Sequence, residues 1–370
     1  MSTPSAISLH GGLGLRFRTV TGLFVLPLLL AACGGGGDGC SDDPGSSCIW
    51  AGTGEAGFNG DGHDLTDTRL YWPVDLAFAP GGTPWIVDWN NNKVREVTPK
   101  GSVRTAVSLF HPTDVEFGPD GLIYIADWHN YQISTLDPET GLLQLFGGDV
   151  AGFAGDGGPV NHALFNLPSS LVFAPDGTLY ILDQANQRIR RVAPDHTRTV
   201  STVVGTGEAG FAGDGGTPLA ARLDFGTDEN ANPAGGLALG PDGALYIADA
   251  LNYRIRRVDF DNDRIETIAG NGLNQLSGDG GSALDAGIGL VSDLEFGPDG
   301  RLYLSDAENN CVRAVDLATG TISMVWNGNL PAQDDALPLD HPSGIAFGPD
   351  NHLYIADTFN HRIVRVVPLS

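Results

Sequence analysis

Carboxylates recur at one position near the beginning of similar apolar segments. Asp75, Asp114 and Asp293 occupy the third place of PVDLAF, PTDVEF and VSDLEF, and Glu116 and Glu295 follow two residues after two of them. Because residues two apart in a strand share a face, each Glu would lie on the same face as its Asp. Converging carboxylates repel one another unless they are hydrated, protonated or bridged by a cation. The pattern allows a Ca²⁺ site, and its simpler interpretation is a solvated acidic funnel without a metal.

Two tryptophans and a histidine occur at a second recurring position. Trp89 lies in the segment DWNN, and Trp128 and His129 lie in the segment DWHN, each directly after an apolar segment that ends in Asp. Indole rings beside an imidazole are suited to stacking on a sugar or to anchoring a protein partner. We therefore predict that Trp89, Trp128 and His129 contact a partner. The alternative is that each Trp only covers the adjacent loop.

The rest of the chain carries no known catalytic motif. It contains no nucleophile elbow, no HExxH segment, no phosphate-binding loop and no paired-cysteine redox motif. We therefore predict no catalytic residue, and an enzyme would have to use the carboxylates described above.

A repeated unit of four short strands must position these side chains. The unit is clearest in residues 233–270, where apolar segments alternate with turns such as GPDG at 240–243. Six copies are in register, and each second strand ends in an Asp: Asp88, Asp127, Asp183, Asp249, Asp306 and Asp357. An Asn follows each Asp by three residues, and an aromatic residue precedes it by three. One such sheet cannot bury both faces, so the copies must stack, and the sequence predicts an all-β, six-bladed β-propeller.

The last copy resembles a known repeat. Residues 341–367, HPSGIAFGPDNHLYIADTFNHRIVRVV, closely resemble the NHL repeat, and residues 351–353 spell Asn-His-Leu itself. The resemblance covers roughly residue 48 to the C-terminus and implies a six-bladed propeller of four-stranded antiparallel blades. Propellers host many unrelated activities, so the resemblance implies little about function. Propeller lactonases and an NHL-like lyase use metals in their channels, so the resemblance makes a metal-dependent hydrolase or lyase the alternative function. The zinc site of that lyase needs several inward-facing His residues, and the corresponding strand starts of this sequence have none.

The ring is predicted to close with a strand from the N-terminal side. The last copy ends after its third strand, whereas Cys48–Ala51 precedes the first copy and has no partner strand of its own. The residues that follow it, GTGEAGF at 52–58, are identical to 205–211, which directly follow a fourth strand. We therefore expect Cys48–Ala51 to be the missing outer strand of the last blade.

The first 47 residues predict export and lipid attachment. Residues 1–32 read as a signal peptide with Arg16, Arg18 and a short apolar segment, and they end in LAAC, which resembles a bacterial lipobox. Cys33 would be the lipid-attachment site, 33–47 a flexible tether and 48–370 the propeller, anchored at the outer membrane or cell surface. The alternative is an uncleaved anchor with a chance Cys.

The remaining cysteines allow one disulfide. An exported protein can form disulfides, so we predict a pair between Cys40 and Cys48, with Cys48 to Cys311 as the rival. Cys311 has no His-Asp context and is not a candidate nucleophile.

A Gly-Asp-Gly motif recurs in the loops that lead into four blades. Asp61 lies in GFNGDG, Asp156 and Asp214 each lie in a copy of GFAGDGG, and Asp279 lies in SGDGG. We interpret the motif as a structural turn with its Phe packed inward. Calcium binding is the alternative, although each copy offers one carboxylate and the spacing matches no calcium-binding loop.

Charge limits the partners. The chain has 45 acidic and 20 basic residues, a formal net charge of −25. Such a surface repels phosphate, so nucleic-acid binding is disfavoured. The sequence thus predicts a monomeric, non-enzymatic propeller that binds a protein or a glycan at the cell envelope. It would contact the membrane only through its lipid, and it would need no cofactor other than the possible Ca²⁺.

Overall fold

A computed structural model describes residues 40–227, 233–328 and 337–368. The predicted signal peptide, Cys33 and the tether up to residue 39 lie outside the described residues. No helix among the described residues is long and apolar enough to cross a membrane.

The described residues form six antiparallel sheets, and these are the six blades that the repeat predicts. The first strands of blades one to six are Pro73–Phe78, Pro112–Phe117, Pro168–Phe173, Leu237–Leu239, Val291–Phe296 and Pro342–Phe347. The second strands are Pro84–Asp88, Ile123–Asp127, Leu179–Asp183, Leu245–Asp249, Leu302–Asp306 and Leu353–Asp357. The third strands are Lys93–Val97, Gln132–Leu136, Arg188–Val192, Arg254–Asp259, Cys311–Asp316 and Arg362–Val366. The fourth strands of the first five blades are Ser102–Ser108, Leu143–Gly148, Val200–Val204, Arg264–Ala269 and Thr321–Trp326.

The fourth strand of blade six comes from the N-terminal side, as predicted. Ser47–Ala51 pairs antiparallel with Arg362–Val366, and Cys48 lies opposite Arg365. The ring of Trp50 packs edge-on against Tyr354 with centroids 5.0 Å apart. A disulfide joins Cys48 to Cys40, while Cys311 is a buried free thiol. The ring therefore closes by pairing both ends of the propeller sequence in one sheet.

Each blade folds locally through the same two turns. In blade two, the amide of Leu122 donates to the carboxylate of Asp120 in the Pro-Asp-Gly turn, and the Tyr124 hydroxyl donates to the same carboxylate. After the second strand, the described chain forms a short 3₁₀ turn in five blades: Trp89–Asn91, Trp128–Asn130, Gln184–Asn186, Ala250–Asn252 and Thr358–Asn360. In these turns the Asn amide donates to the preceding Asp, which explains the Asp-x-x-Asn spacing.

The hydrophobic core lies between blades. Each of six apolar clusters joins two adjacent blades, and the cluster between blades six and one contains Trp50, Leu76 and Tyr354. Neighbouring first strands contact one another around the whole ring. Side chains from those strands therefore meet along one axial channel.

Candidate functional site

The three aspartates of the first strands each join their blade to another. The Oδ2 atom of Asp75 accepts a hydrogen bond from the amide of Val115 at 3.1 Å. Asp114 Oδ2 accepts from Leu171 at 2.6 Å, and Asp293 Oδ2 accepts from Ile345 at 2.9 Å. Ser170 does the same in blade three, where its Oγ accepts from the amide of Leu237 at 3.2 Å. In blades one, two, three and five this position therefore fastens the blade to the next one.

Glycine occupies the same position in blades four and six because no side chain fits there. A Cβ on Gly236 would lie 2.6 Å from the Cα of Asp293, and a Cβ on Gly344 would lie 2.6 Å from the Cα of Asp75. The alternation of Asp, Ser and Gly among the copies thus follows from packing around the channel.

The first strands carry bulges that aim side chains into the channel. Pairing with the second strand shifts between Pro73 and Asp75 in blade one, and at the matching places in blades two, three and five. The extra residue at a bulge leaves the regular ladder and turns its side chain toward a new direction. The bulge residues of blades two, three and five, Thr113, Ser169 and Ser292, line the channel mouth with hydroxyl groups.

The channel carboxylates hold their protons unusually tightly. Burial raises the pKa of Asp75 to about 6, that of Glu116 to about 7 and that of Glu295 to about 8. Burial and the neighbouring carboxylates also raise the pKa values of Asp114 and Asp293. Water reaches these side chains only from within the channel, so a charge there is poorly solvated.

The five channel carboxylates are the residues that the sequence left open as a Ca²⁺ site. Among the described residues, which include all five, no group of three or more His, Cys, Asp or Glu is arranged to hold a metal ion. Backbone amides of adjacent blades donate to Oδ2 of Asp75, Asp114 and Asp293. Ca²⁺ binding in the channel stays an open alternative.

A small cavity of about 40 Å³ opens above the aspartates, and we call it the vestibule. Its floor is formed by Asp75, Asp114 and Asp293, and its wall includes Trp72 and Phe359. A second cavity of about 370 Å³ continues below the aspartates and contains Glu116 and Glu295. The aspartates thus divide the channel into an aromatic upper part and an acidic lower part.

The wall of the vestibule is a continuous row of rings from blades six, one and two. His341 stacks on Phe359 with centroids 4.6 Å apart, and Phe359 lies 5.2 Å from Trp72. Trp72 stacks on Trp89 at 5.8 Å, and Trp89 stacks on His111 at 4.5 Å. Because the rings stack on one another and Trp89 is only 7% exposed, the free apolar surface beside the carboxylates is small and comes from the part-exposed Trp72 and Phe359.

Three residues of this row adopt an uncommon backbone conformation. Trp72, His111 and His341 have φ values of 53°, 55° and 53°. Each directly precedes the residue that begins a first strand, which is Pro73, Pro112 or Pro342. Fully buried Leu167 has a φ of 54° before Pro168 in blade three, so this conformation belongs to the repeat and costs about 1–2 kcal/mol wherever it occurs. The sequence pattern did not mark Trp72, His111 and His341 as one site.

Two polar atoms of the vestibule have no hydrogen-bond partner within the part of the chain that the structure describes. They are the buried indole Nε1 of Trp89 and the buried hydroxyl of Ser169. Both residues line the vestibule, with exposed fractions of 7% for Trp89 and 5% for Ser169. Buried polar atoms are normally satisfied, so these two mark a place where a ligand atom would be stabilised.

The predicted contact surface of Trp89, Trp128 and His129 needs correction. The structure brings the residues together, with the two indoles 6.2 Å apart and His129 4.3 Å from Trp128. However, Trp128 is completely buried, and its Nε1 donates to Oε1 of Gln184 in blade three at 3.1 Å. It therefore closes the interface between blades and is not presented to a partner. Trp89 faces the vestibule, and Nδ1 of half-buried His129 lies 2.5 Å from Nδ1 of His111.

The Gly-Asp-Gly loops are held by buried arginines. Arg95, Arg190, Arg256 and Arg313 are fully buried and each forms an ion pair with one loop aspartate: Asp61, Asp156, Asp214 or Asp279. The first three arginines also pair with the aspartate that ends the second strand of the same blade, at 3.0–3.1 Å. The motif therefore serves as a structural turn, and its aspartates bind guanidinium groups.

The sequence contained the signal for these arginines. They occupy the third place of the third strand in blades one, three, four and five, which are the four blades that a Gly-Asp-Gly loop precedes. Blades two and six have Ser134 and Val364 there.

The loop phenylalanines are not packed inward as predicted. Phe58, Phe153 and Phe211 are 43–45% exposed. Arg188 lies 4.0 Å from the ring centre of Phe153, and Arg254 lies 3.9 Å from that of Phe211. The rings cover arginines at the surface, where cation–π attraction replaces burial in the core.

Comparisons with known proteins agree with this architecture. Residues 339–365 match the family model of the NHL repeat, and residues 148–193 match the model of the Teneurin NHL domain. The chain therefore contains NHL-repeat sequence, as the resemblance implied.

Curated relatives share the propeller region at low identity. The chain is 25% identical over 244 residues to the protein SUPPRESSOR OF QUENCHING 1, chloroplastic, of Arabidopsis thaliana, covering 62% of this chain and 22% of that protein. It is 27% identical over 246 residues to human NHL repeat-containing protein 2, covering 57% of this chain and 32% of that protein. The matched region is thus about a third or less of each relative.

Solved structures show the same fold. An auxiliary nutrient binding protein from Bacteroides thetaiotaomicron superposes with a TM-score of 0.64 at 16% identity, covering 88% of this chain and 76% of that one. A gluconolactonase from Xanthomonas campestris superposes with a TM-score of 0.56 at 16% identity, covering 82% and 87%. Similarity at this identity extends to the fold alone.

Proposed function

We propose that this NHL-repeat propeller is a non-enzymatic binding protein of the cell envelope, anchored through a lipid on Cys33, that recognises a glycan in the vestibule. The observation that carries the proposal is that the Nε1 of Trp89 and the hydroxyl of Ser169, which both line the vestibule, are buried without a hydrogen-bond partner among the described residues. A ligand hydroxyl that reaches either atom would supply the missing hydrogen bond.

The chemistry of the vestibule matches a sugar. The apolar face of a pyranose ring stacks on an indole, and its hydroxyls both donate and accept hydrogen bonds. Trp72 and Phe359, which are both part-exposed in the vestibule wall, supply the aromatic surface, and the indole Nε1 of Trp89 supplies a donor. The aspartates on the floor supply acceptors. The free volume of the vestibule, about 40 Å³, admits part of one sugar unit at the end of a chain.

The proposed location rests on two features of the N-terminal region. The lipobox-like LAAC predicts the anchor, and the disulfide between Cys40 and Cys48 is of the kind that persists in oxidising compartments. One structural neighbour is an auxiliary nutrient binding protein, which is compatible with a binding role but carries no substrate across at 16% identity.

The binding experiment uses the purified full chain in detergent and a panel of neutral oligosaccharides, with isothermal titration as the readout. We expect Trp89→Phe, which keeps an aromatic ring but removes Nε1, to weaken binding about tenfold, the effect of one lost hydrogen bond of about 1.4 kcal/mol. Trp326→Phe is the matched control, because Trp326 Nε1 is also buried and unpartnered but does not line the vestibule. If no oligosaccharide binds, or if both variants bind equally well, the proposed function is wrong.

A further inference from the structure

Four blades protect their outer edges with a segment of the same chain. The Gly-Asp-Gly loop lies along the fourth strand, and its glycine amides donate to strand carbonyls at 2.7–2.8 Å: Gly62 to Val103, Gly157 to Val200, Gly215 to Ile265 and Gly280 to Ile322. In blades three, four and five the bond is reciprocal, since the amide of the same strand residue donates back to a loop glycine. These loops therefore act as a short fifth strand on an edge that would otherwise offer unpaired backbone groups.

The edge of blade two has no such cover among the described residues. Leu143 lies opposite Leu136, just as Val200 lies opposite Val192 in blade three, so Leu143 is the counterpart of the four covered residues. Blade one leads directly into blade two, with three residues between Ser108 and Pro112, and therefore supplies no covering loop. Within the described chain, the outward backbone groups of Leu143 have no hydrogen-bond partner.

The side chains of this edge differ in kind from those of the covered edges. In each covered blade an arginine of the third strand binds the loop aspartate. In three of these blades a threonine opposite the arginine also binds it, as Arg190 and Thr202 both bind Asp156. Blade two has Ser134 and Leu145 at these two places. Leu142, Leu143 and Leu145 are 54%, 38% and 54% exposed. The edge is thus built for an apolar side chain and not for an aspartate.

The charges around the edge of blade two indicate which charge the ends of a bound segment would carry. Acidic residues stand on both sides of the strand, with half-buried Asp137 and exposed Glu139 before it and exposed Asp149 after it. Arg198, in the groove between this edge and blade three, is already paired with Asp120 at 3.7 Å. Together with the net charge of −25, this favours a basic occupant and disfavours a second copy of the acidic chain.

Blade six provides the remaining comparison. Its outer strand, Ser47–Ala51, carries the disulfide to Cys40, and so the N-terminal segment flanks that edge. The edge of blade two carries exposed leucines and no such segment within the described chain.

We propose that the outer strand of blade two, Leu143–Gly148, is a docking edge that binds an extended segment of a partner protein by β-strand addition. The segment pairs with the backbone at Leu143 and Leu145, alternates apolar side chains toward those leucines and carries lysine or arginine at its ends. The geometry is the one that the Gly-Asp-Gly loops adopt on the four covered edges.

The test uses the full chain and a short synthetic peptide in which valine and threonine alternate between two lysines at each end. We expect saturable binding together with slower hydrogen exchange, by about tenfold or more, at the amides of Leu143 and Leu145. Leu143→Pro removes an outward amide, and Leu145→Lys places a charge on the edge; each should weaken peptide binding about tenfold. Leu284→Lys, at a residue 53% exposed on another blade, is the matched control and should leave binding unchanged.

Three outcomes would overturn the proposal. The first is a peptide that does not bind, or that binds Leu145→Lys as well as the unaltered chain at equal thermal stability. The second is protection of the Leu143 amide in the free protein, which would mean that the chain covers its own edge. The third is a dimer in sedimentation equilibrium that Leu145→Lys dissociates, which would assign the edge to a second copy.

Discussion

Buried charged residues in this propeller serve as connectors. Arg256 pairs with Asp249 at 3.0 Å and with Asp214 at 2.7 Å, and its side chain is fully buried. Burial raises the pKa of Asp249 to about 6, while its bonds to Asp224, Arg256 and Asn252 act in the opposite direction. The aspartate is thus stable as an anion only because it is surrounded by donors.

Removing one of these arginines should be costly. We expect Arg256→Ala to lower the free energy of unfolding by about 3–5 kcal/mol, because it leaves Asp249 buried without its cation. Arg257→Ala is the control on the same strand: Arg257 pairs with Asp242 nearer the surface, and its loss should cost about 1 kcal/mol or less. Urea unfolding of both variants measures the difference, and equal losses would contradict a connecting role for Arg256.

The channel carboxylates should make stability depend on pH. The pKa of Glu295 is raised from 4.5 to about 8 by burial and by the charges of Glu116 and Asp75. Between those two values the folded state binds more protons than the unfolded state, so the free energy of unfolding falls as the pH rises through this window. The loss is complete above pH 8 and absent below pH 4.5.

The variant Glu295→Gln keeps the shape of the protonated side chain and cannot ionise. We expect it to raise the free energy of unfolding by roughly 1–2 kcal/mol at pH 9 and to change it little at pH 4. The expected gain is kept small because water in the channel screens the charge of Glu295. Thermal melting at both pH values is the measurement. A stabilisation of the same size at both values would show that Glu295 is not the titrating group.

At the scale of the element, one loop type has two tasks. The Gly-Asp-Gly loop gives its carboxylate to a buried arginine and its glycine amides to the outer edge of the blade that follows. The two tasks explain why the motif and the arginine occur in the same blades. They also explain the glycines, because Gly155 and Gly157 have φ values of 95° and 82°, which other residues adopt at a cost.

The strand that closes the ring should be essential. Deletion of Ser47–Ala51 removes the outer strand of blade six and the contact of Trp50 with Tyr354, so we expect a large fall in the thermal midpoint of the whole propeller. Cys40→Ser is the control, because it removes the disulfide, worth about 2–3 kcal/mol for so short a loop, and keeps the strand. If the deletion melts like Cys40→Ser, the strand does not carry the closure.

At the scale of the whole propeller, the described residues form a ring whose axis collects one position from every repeat. That arrangement gathers carboxylates into the channel and aromatic residues at one mouth, although they are far apart in the sequence. It also places uncovered backbone at the edge of blade two. The two proposed sites, the vestibule and this edge, therefore lie at the axis and at the rim, and their experiments are independent.

The sequence by itself determined the repeat, the number of blades, the closing strand and the turns, because each depends on local chemistry recurring in register. It also showed that Asp75, Asp114 and Asp293 are equivalent. Only the tertiary structure decided what these residues do: their oxygens accept amides from adjacent blades, Trp128 is sealed between blades, and Trp72 and Trp89 line the vestibule. The reason is physical, since burial and hydrogen bonding across blades depend on distances between residues tens of positions apart, which local patterns do not specify.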